Sequence, residues 1–362
     1  MSIKINSIQG ISAMSANVFN RYSRSNPNTF RRNPLWTFTH TFQGTVAGYS
    51  IGTTTTSPTS PSVAIFDKFP FASDSNATNV GGSMSVIRGS ASGQSSDVNG
   101  YISGGAVSPF AYSNVIEKFP FAVDGTKSTD VGDLTVARTS LTGQSSNVSG
   151  YASGGGFFPP TSFTSAGFRT TIEKFPFATD SNATNIGALT EARRFAAGQS
   201  STVSGYTSGG QIFPPTPPEI YVNTIDKFPF ATDANATDVG DMTRLVQGPA
   251  GQSSDVSGYT SGGYGRLPPG TPRPSSPVSV RNIIDKFPFA TNANATDVGD
   301  LTVARQSVAG QSSTVSGYST GGYIPGSGSV NTIDKFPFAT NANATDVGDL
   351  SSSRSGMIGL QD

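Results

Sequence analysis

Short stretches of this chain alternate in the way an extended strand requires. In Asn331 to Phe338, Ile333, Lys335 and Pro337 fall on one side and Asp334, Phe336 and Phe338 on the other, the two-residue period of a pleated strand rich in Ile and Phe. The stretch reads IDKFPF or a close variant at Asp67, Glu117, Glu173, Asp226, Asp285 and Asp334. Around each copy the same phrases return. Arg305 to Ser313 reads as a first strand, Val315 to Gly322 as a second ending on paired glycines, Asn331 to Phe338 as a third and Ala344 to Leu350 as a fourth. Between the third and fourth, TNANAT or TDSNAT supplies the Asx-turn chemistry of a hairpin.

The spacing from Lys68 to Lys335 is 50, 56, 53, 59 and 49 residues. That period is too long for a helical solenoid and matches four strands of a β-propeller blade. The two chain ends share one repeat: Arg354 to Asp362 aligns with the first-strand run, and Thr45 to Thr53 with the second-strand run. The sequence therefore predicts an all-β, six-bladed propeller of four-stranded blades over residues 43–362. One blade is shared by the N- and C-terminal strands, which leaves no open sheet edge.

Composition narrows the function classes. The formal net charge is zero, which gives no electrostatic footprint for nucleic acid. Residues 1–42 nevertheless hold Lys4, Arg21, Arg24, Arg31 and Arg32 and no acid, so they read as a basic N-terminal arm. With no cysteine there is no disulfide or thiolate site, and the redox compartment stays open. No apolar h-region and no 18-residue apolar run is present, so neither a signal peptide nor a membrane span is expected.

GYxSGG, a third strand and then DLTVAR resemble the Kelch motif over residues 44–362, with Phe in place of the usual Tyr and no fourth-strand Trp. The phrase IDKFPFATDANATDVGDLTVAR is similar to the Kelch-like repeats of virion proteins from marine cyanophages and related phages. That resemblance implies a virion location and a non-enzymatic structural role.

Several side chains invite a chemical reading. Arg88, Arg138, Arg193, Arg305 and Arg354 share one phase, with Val246 in the sixth repeat and Arg244 displaced by two. An anion-binding ring is the functional alternative, and ties between neighbouring blades are the simpler one. Gln94, Gln144, Gln199, Gln252 and Gln311, with Leu360 in the sixth place, suit packing and lining near the axis. Asp233, Asn235 and Asp238 have the alternating oxygens of a calcium loop but lack a bidentate Glu, and Asx turns explain them equally. Nothing supports catalysis: the chain has one histidine, His40, and no phosphate-cradling glycine loop. No cofactor or metal is expected.

Irregularity is confined to the connections between second and third strands, all on one face. Loops on a rigid scaffold concentrate binding residues, so Phe157, Phe158, Phe163, Phe168, Phe213, Tyr221, Tyr264, Arg266 and Leu267 are candidate contacts, with local stapling as the alternative. In the arm, Ile3, Ile5 and Ile8 with Arg21, Arg24, Arg31, Arg32 and Trp36 are candidates for docking to other virion proteins. The expected partners are those proteins through the arm and a host-surface glycan or protein at the loops, with self-association left open. A carbohydrate-binding propeller and a carboxylate-pair hydrolase are the alternatives.

Overall fold

The computed structural model describes residues 42–54, 63–107, 111–157, 167–213, 220–268 and 278–362. Among them there is no helix, and the all-β expectation holds. Six antiparallel sheets of four strands carry the architecture. Sheet 2 comprises Ser92–Ser95, Asn99–Ser103, Val115–Pro120 and Thr129–Asp133. Sheet 3 comprises Thr142–Ser145, Ser149–Ser153, Thr171–Pro176 and Thr184–Ala188. Sheet 4 runs Ala197–Ser200, Ser204–Ser208, Thr224–Pro229 and Thr237–Asp241. Sheet 5 runs Ala250–Ser253, Ser257–Ser261, Ile283–Pro288 and Thr296–Asp300. Sheet 6 runs Ala309–Ser312, Ser316–Ile324, Gly328–Pro337 and Thr345–Asp349.

Sheet 1 draws on both ends of the chain. Its order is Ile358–Gln361, Ala47–Thr54, Val63–Pro70 and Thr78–Asn79, and Gly48 to Ile51 pair antiparallel with Gln361 to Ile358. The Asp362 carbonyl oxygen accepts from the backbone N–H groups of Thr45 (2.8 Å), Val46 (2.7 Å) and Ala47 (3.2 Å).

First strands are shorter than expected: the run predicted from Arg305 begins at Ala309. Two features hold the preceding residues out of the ladder. Arg305 turns inward onto Asp334, and Ser307 adopts a left-handed backbone (φ 56°).

First strands touch their neighbours from sheet 2 through sheet 6, and Ile358–Gln361 touches the first strands of both sheet 6 and sheet 2. The approach is close enough to exclude any side chain at one position per sheet. A Cβ on Gly143 would lie 2.1 Å from the Gly93 carbonyl oxygen, with 2.2 Å for Gly198 to Gly143, Gly251 to Gly198 and Gly310 to Gly251, 2.1 Å for Gly359 to Gly310 and 2.4 Å for Gly93 to Gly359. A second cycle runs through the residues just before the first strands. Ser140 N–H donates to Ser90 O (2.8 Å), Phe195 to Ser140 (3.0 Å), Gly248 to Phe195 (2.8 Å), Ser307 to Gly248 (2.7 Å), Gly356 to Ser307 (3.0 Å) and Ser90 to Gly356 (3.2 Å).

Between sheets the core is aromatic. Each second-strand tyrosine stacks on the last phenylalanine of the next sheet's KFPF: Tyr49 on Phe121, Tyr101 on Phe177, Tyr151 on Phe230, Tyr206 on Phe289, Tyr259 on Phe338 and Tyr318 on Phe71, with centroids 4.7–5.0 Å apart. The first phenylalanine covers the glycine before the tyrosine of its own sheet. At Gly150 a Cβ would sit 2.3 Å from the Phe175 ring, so GY and KFPF are one packing unit.

Two predictions follow from this packing. Gly198→Ala meets neighbouring backbone that cannot yield, and should lose at least the ~1–3 kcal/mol of an overpacked core. Gly326→Ala, at φ 83° with nothing within 4 Å, should lose only the ~1–2 kcal/mol of a left-handed residue; equal effects in thermal melts would contradict the close approach. Burial also raises the ionisation of Tyr49, Tyr101, Tyr151, Tyr206, Tyr259 and Tyr318 above the ordinary 10.0. Their contribution to stability is then complete below pH 10 and lost as pH climbs through the raised native values. Phenolate absorbance should appear late and together with unfolding, and early ionisation in a folded chain would refute it.

Candidate functional site

The repeated arginines meet the carboxylate of the third strand. Arg88 pairs with Glu117 (3.1 Å), Arg138 with Glu173 (3.1 Å), Arg193 with Asp226 (2.9 Å), Arg244 with Asp285 (3.1 Å), Arg305 with Asp334 (2.9 Å) and Arg354 with Asp67. All twelve residues are buried. The sequence reading that left Val246 as a gap is corrected here: Arg244, two residues earlier, reaches the equivalent carboxylate and also donates to the Gly262 and Ile283 carbonyls. A long flexible stem lets a guanidinium reach one target from two backbone positions.

Each carboxylate also ties two sheets. Asp226 accepts from Thr190 N–H (2.9 Å) and Oγ1 (2.7 Å), which follow the last strand of sheet 3. Thr302 does the same for Asp334, and Ser351 for Asp67. Burial lowers the Arg244 pKa and raises that of Asp285, and each charge opposes the other's shift. These groups are spent on one another and on backbone, which argues against an anion ring; the guanidinium groups bind their own sheet, so the expected tie to a neighbour is made by the carboxylate and its Thr or Ser and not by the arginine.

The glutamines are ties as well. Gln94, Gln144, Gln199, Gln252 and Gln311 donate through Nε2 to the carbonyls of Tyr151, Tyr206, Tyr259, Tyr318 and Tyr49, each 2.9–3.0 Å away on the next sheet. Leu360 breaks this pattern at the junction of sheets 1 and 2, where it joins Ile51, Ile102 and Ile358 in an apolar cluster. Between the first strands a polar cavity of about 70 Å³ is lined by Gln94, Ser95, Gln144, Gln199, Gln361 and Phe42 among others. Gln361 Nε2 donates to Phe42 O (2.6 Å), and Gly44 N–H to Ser312 O (2.8 Å), so the chain enters over that mouth.

The residues of the calcium reading have protein partners. Asp233 takes Lys174 (3.3 Å), Asn235 accepts from Ala188 N–H (3.0 Å) and Asp238 from Gly240 N–H (3.1 Å). Asn182 likewise accepts from Asp133 N–H (2.9 Å). Asp238 plays the Asx role on its own backbone, whereas Asn182 and Asn235 hold the preceding sheet and Asp233 a lysine.

On the loop face the aromatic candidates are half-buried and meet one another. Arg169 lies over Phe157 (5.0 Å) and Arg194 over Phe168 (4.8 Å). Phe168 meets Phe213 edge-on at 6.0 Å, joining the connections of sheets 3 and 4, and Tyr221 meets Tyr264 at 6.0 Å, joining sheets 4 and 5. Arg266 is exposed and Leu267 half-buried beside it. The structure thus brings Phe157, Phe168, Phe213, Tyr221, Tyr264, Arg266 and Leu267 onto one arc of one face. Phe158 and Phe163 lie outside the described residues, as do Ile3, Ile5, Ile8, Arg21, Arg24, Arg31, Arg32 and Trp36 of the arm.

Two features escaped the sequence reading. Arg169 and Arg194 belong to the aromatic arc, and the run FRT before the third strand was the available signal for the first. On the opposite face, the hairpin valines are exposed.

If the buried pairs are structural ties, breaking one strands a charge. Asp226→Asn should destabilise the chain by about 3–5 kcal/mol, while replacing Arg193 and Asp226 together by Met and Leu should recover most of that loss. Chemical denaturation reads both; a near-neutral Asp226→Asn would contradict the assignment.

No protein-family model and no curated protein matches the chain.

Proposed function

We propose that the chain is a six-bladed Kelch-like propeller acting as a non-enzymatic structural protein of a phage particle. The basic arm, residues 1–42, attaches it, and the loop face meets the host surface or neighbouring subunits. Six four-stranded sheets, the cycle of first-strand neighbours and the sheet built from both chain ends support the propeller. The virion placement rests on the similarity of the IDKFPFATDANATDVGDLTVAR repeat to phage virion proteins.

One observation carries the structural role: the recurring polar groups are consumed by ties within and between sheets. Carboxylates hold arginines, glutamines hold tyrosine carbonyls, and the rim lysines Lys68, Lys118, Lys174 and Lys335 hold Asp124, Asp180, Asp233 and Asp74. A hydrolase needs two carboxyl groups facing a substrate, and the third-strand carboxyls face guanidinium groups instead. What differs between repeats is the loop face, where binding specificity belongs. The glycan reading is less favoured there, because arginines already cover Phe157 and Phe168.

The test is quantitative mass spectrometry of purified particles from the virus that encodes the chain. A fixed copy number that survives a high-salt wash is expected. Removing residues 1–35 should leave the melting curve of the remaining chain intact and abolish incorporation. A particle without the protein overturns the reading.

A further inference from the structure

The turn between first and second strands carries a valine in five sheets, Val98, Val148, Val203, Val256 and Val315, and Val46 takes the same place in sheet 1, beside the end of the C-terminal strand. Val46 is 53% exposed and the other five are 63%, 67%, 65%, 68% and 67% exposed, more than any other large apolar side chain among the described residues. Turn geometry does not call for them. The backbone there is fixed by a serine, as where Ser254 Oγ accepts from the N–H groups of Val256 (3.4 Å) and Ser257 (3.0 Å). Each valine's carbonyl accepts a further backbone bond, as Val256 O does from Phe289 N–H (2.9 Å). The residue just before changes freely, being Thr45, Asp97, Asn147, Thr202, Asp255 or Thr314. Polar residues would serve such a turn as well, so a valine kept at all six copies needs another cause.

The six valines surround one mouth. Five follow a first strand directly, and Val46 N–H donates to Asp362 O at the end of the sixth (2.7 Å); the last residues of these strands line the polar cavity beside Phe42, and the third-to-fourth hairpins share that face because each second strand begins opposite the end of the third (Ser316 with Pro337, Ser257 with Pro288). Half- to two-thirds-exposed valines repeated six times expose on the order of 400 Å² of apolar surface around one mouth, an area comparable in total to functional apolar patches. Only a partner with the same repeat engages all six equally.

We infer that this valine ring is a self-association surface, docking ring to ring on a second copy of the chain about a two-fold axis. The second copy is the one partner known to carry six equivalent knobs. Isologous pairing of one patch with itself is the common form of oligomer. Two rings bury on the order of 800 Å² of apolar area, and the hairpin rims supply the remainder of the ~1,200 Å² at the lower end of stable interfaces. Electrostatics picks the face. Around the ring Asp124, Asp180, Asp233 and Asp74 are neutralised by lysines, and the further acids beside the valines are Asp97, Asp255 and the C-terminal Asp362, in three different sheets, so few like charges meet. The described second-to-third connections instead hold Arg169, Arg266 and Arg281 and no Asp or Glu, and would repel their own copy. Ring pairing leaves both loop faces outward.

Sedimentation velocity of the full chain between about 1 and 100 μM tests this. A dimer that grows with concentration is expected. The triple variant Val148→Asp, Val203→Asp and Val256→Asp should weaken it at least a hundredfold and, at concentrations where the parent is monomeric, melt at the same midpoint, since all three side chains are exposed. Val203→Ser guards against a folding defect and should give a smaller weakening, and Arg266→Glu on the other face should leave the dimer as it is. A monomer across the range overturns the inference, as does a triple variant that dimerises like the parent; a monomer whose turn amides resist hydrogen exchange overturns it in favour of a different occupant.

Discussion

Backbone contact between first strands is the constraint on which the rest depends. With 2.1–2.4 Å between a would-be Cβ and the next carbonyl oxygen at six places, one position in each first strand has no room for a side chain. The residues around it are mostly Gln, Ser and Ala and bury little apolar surface, so the hydrophobic drive must act further out. It does so where each tyrosine stacks on the next sheet's phenylalanine and each KFPF ring lies over a bare glycine. The GQS, GY and KFPF phrases are thus radial stations of one packing scheme, and a change at any of them is felt by two sheets.

Polar ties do what apolar packing cannot do alone, which is to fix how one sheet sits on the next. Dispersion tolerates sliding, whereas a carboxylate that must accept a guanidinium from its own sheet and a Thr or Ser from the preceding one does not. Such buried pairs contribute little net stability against apolar replacements. Their recurrence in all six sheets points to register as their contribution. The junction of sheets 1 and 2 supports this by exception. There Leu360 replaces the glutamine and Ile51 the serine or threonine that would receive it, while the Arg354–Asp67 and Arg88–Glu117 pairs remain. The strand joining from the far end of the chain is held by apolar contact and oriented by the ion pairs.

Much of the fold was legible because repetition exposes what the sheets share. The four strands, their hairpins and the alignment of Arg354–Asp362 with a first strand can be read from phase alone. Repetition also concealed things. Val246 looked like a gap because alignment tracks backbone position, while the carboxylate of Asp285 is met by a guanidinium free to arrive from Arg244. Left-handed Ser90, Ser140, Phe195 and Ser307 leave no mark because serine and phenylalanine are not the residues that announce positive φ. The valine ring was missed for the opposite reason: a valine after SSD or SST in a β-rich chain reads as strand interior, and only the three-dimensional turn shows it facing water.

The two faces of the sheets have followed different rules. Loops on one side differ in length and content, and where they are described they pin to each other through Phe168–Phe213 and Tyr221–Tyr264, so the variable face is also a stiffened one. Stiffening lowers the entropy lost when a surface is bound, which suits a face that must recognise something outside the molecule. Turns on the other side are nearly uniform and keep an apolar residue in water at all six copies. Divergence where partners differ and uniformity where the partner is always the same are what separate recognition from assembly on one scaffold, and the sheet ties between them allow each face to change without disturbing the other.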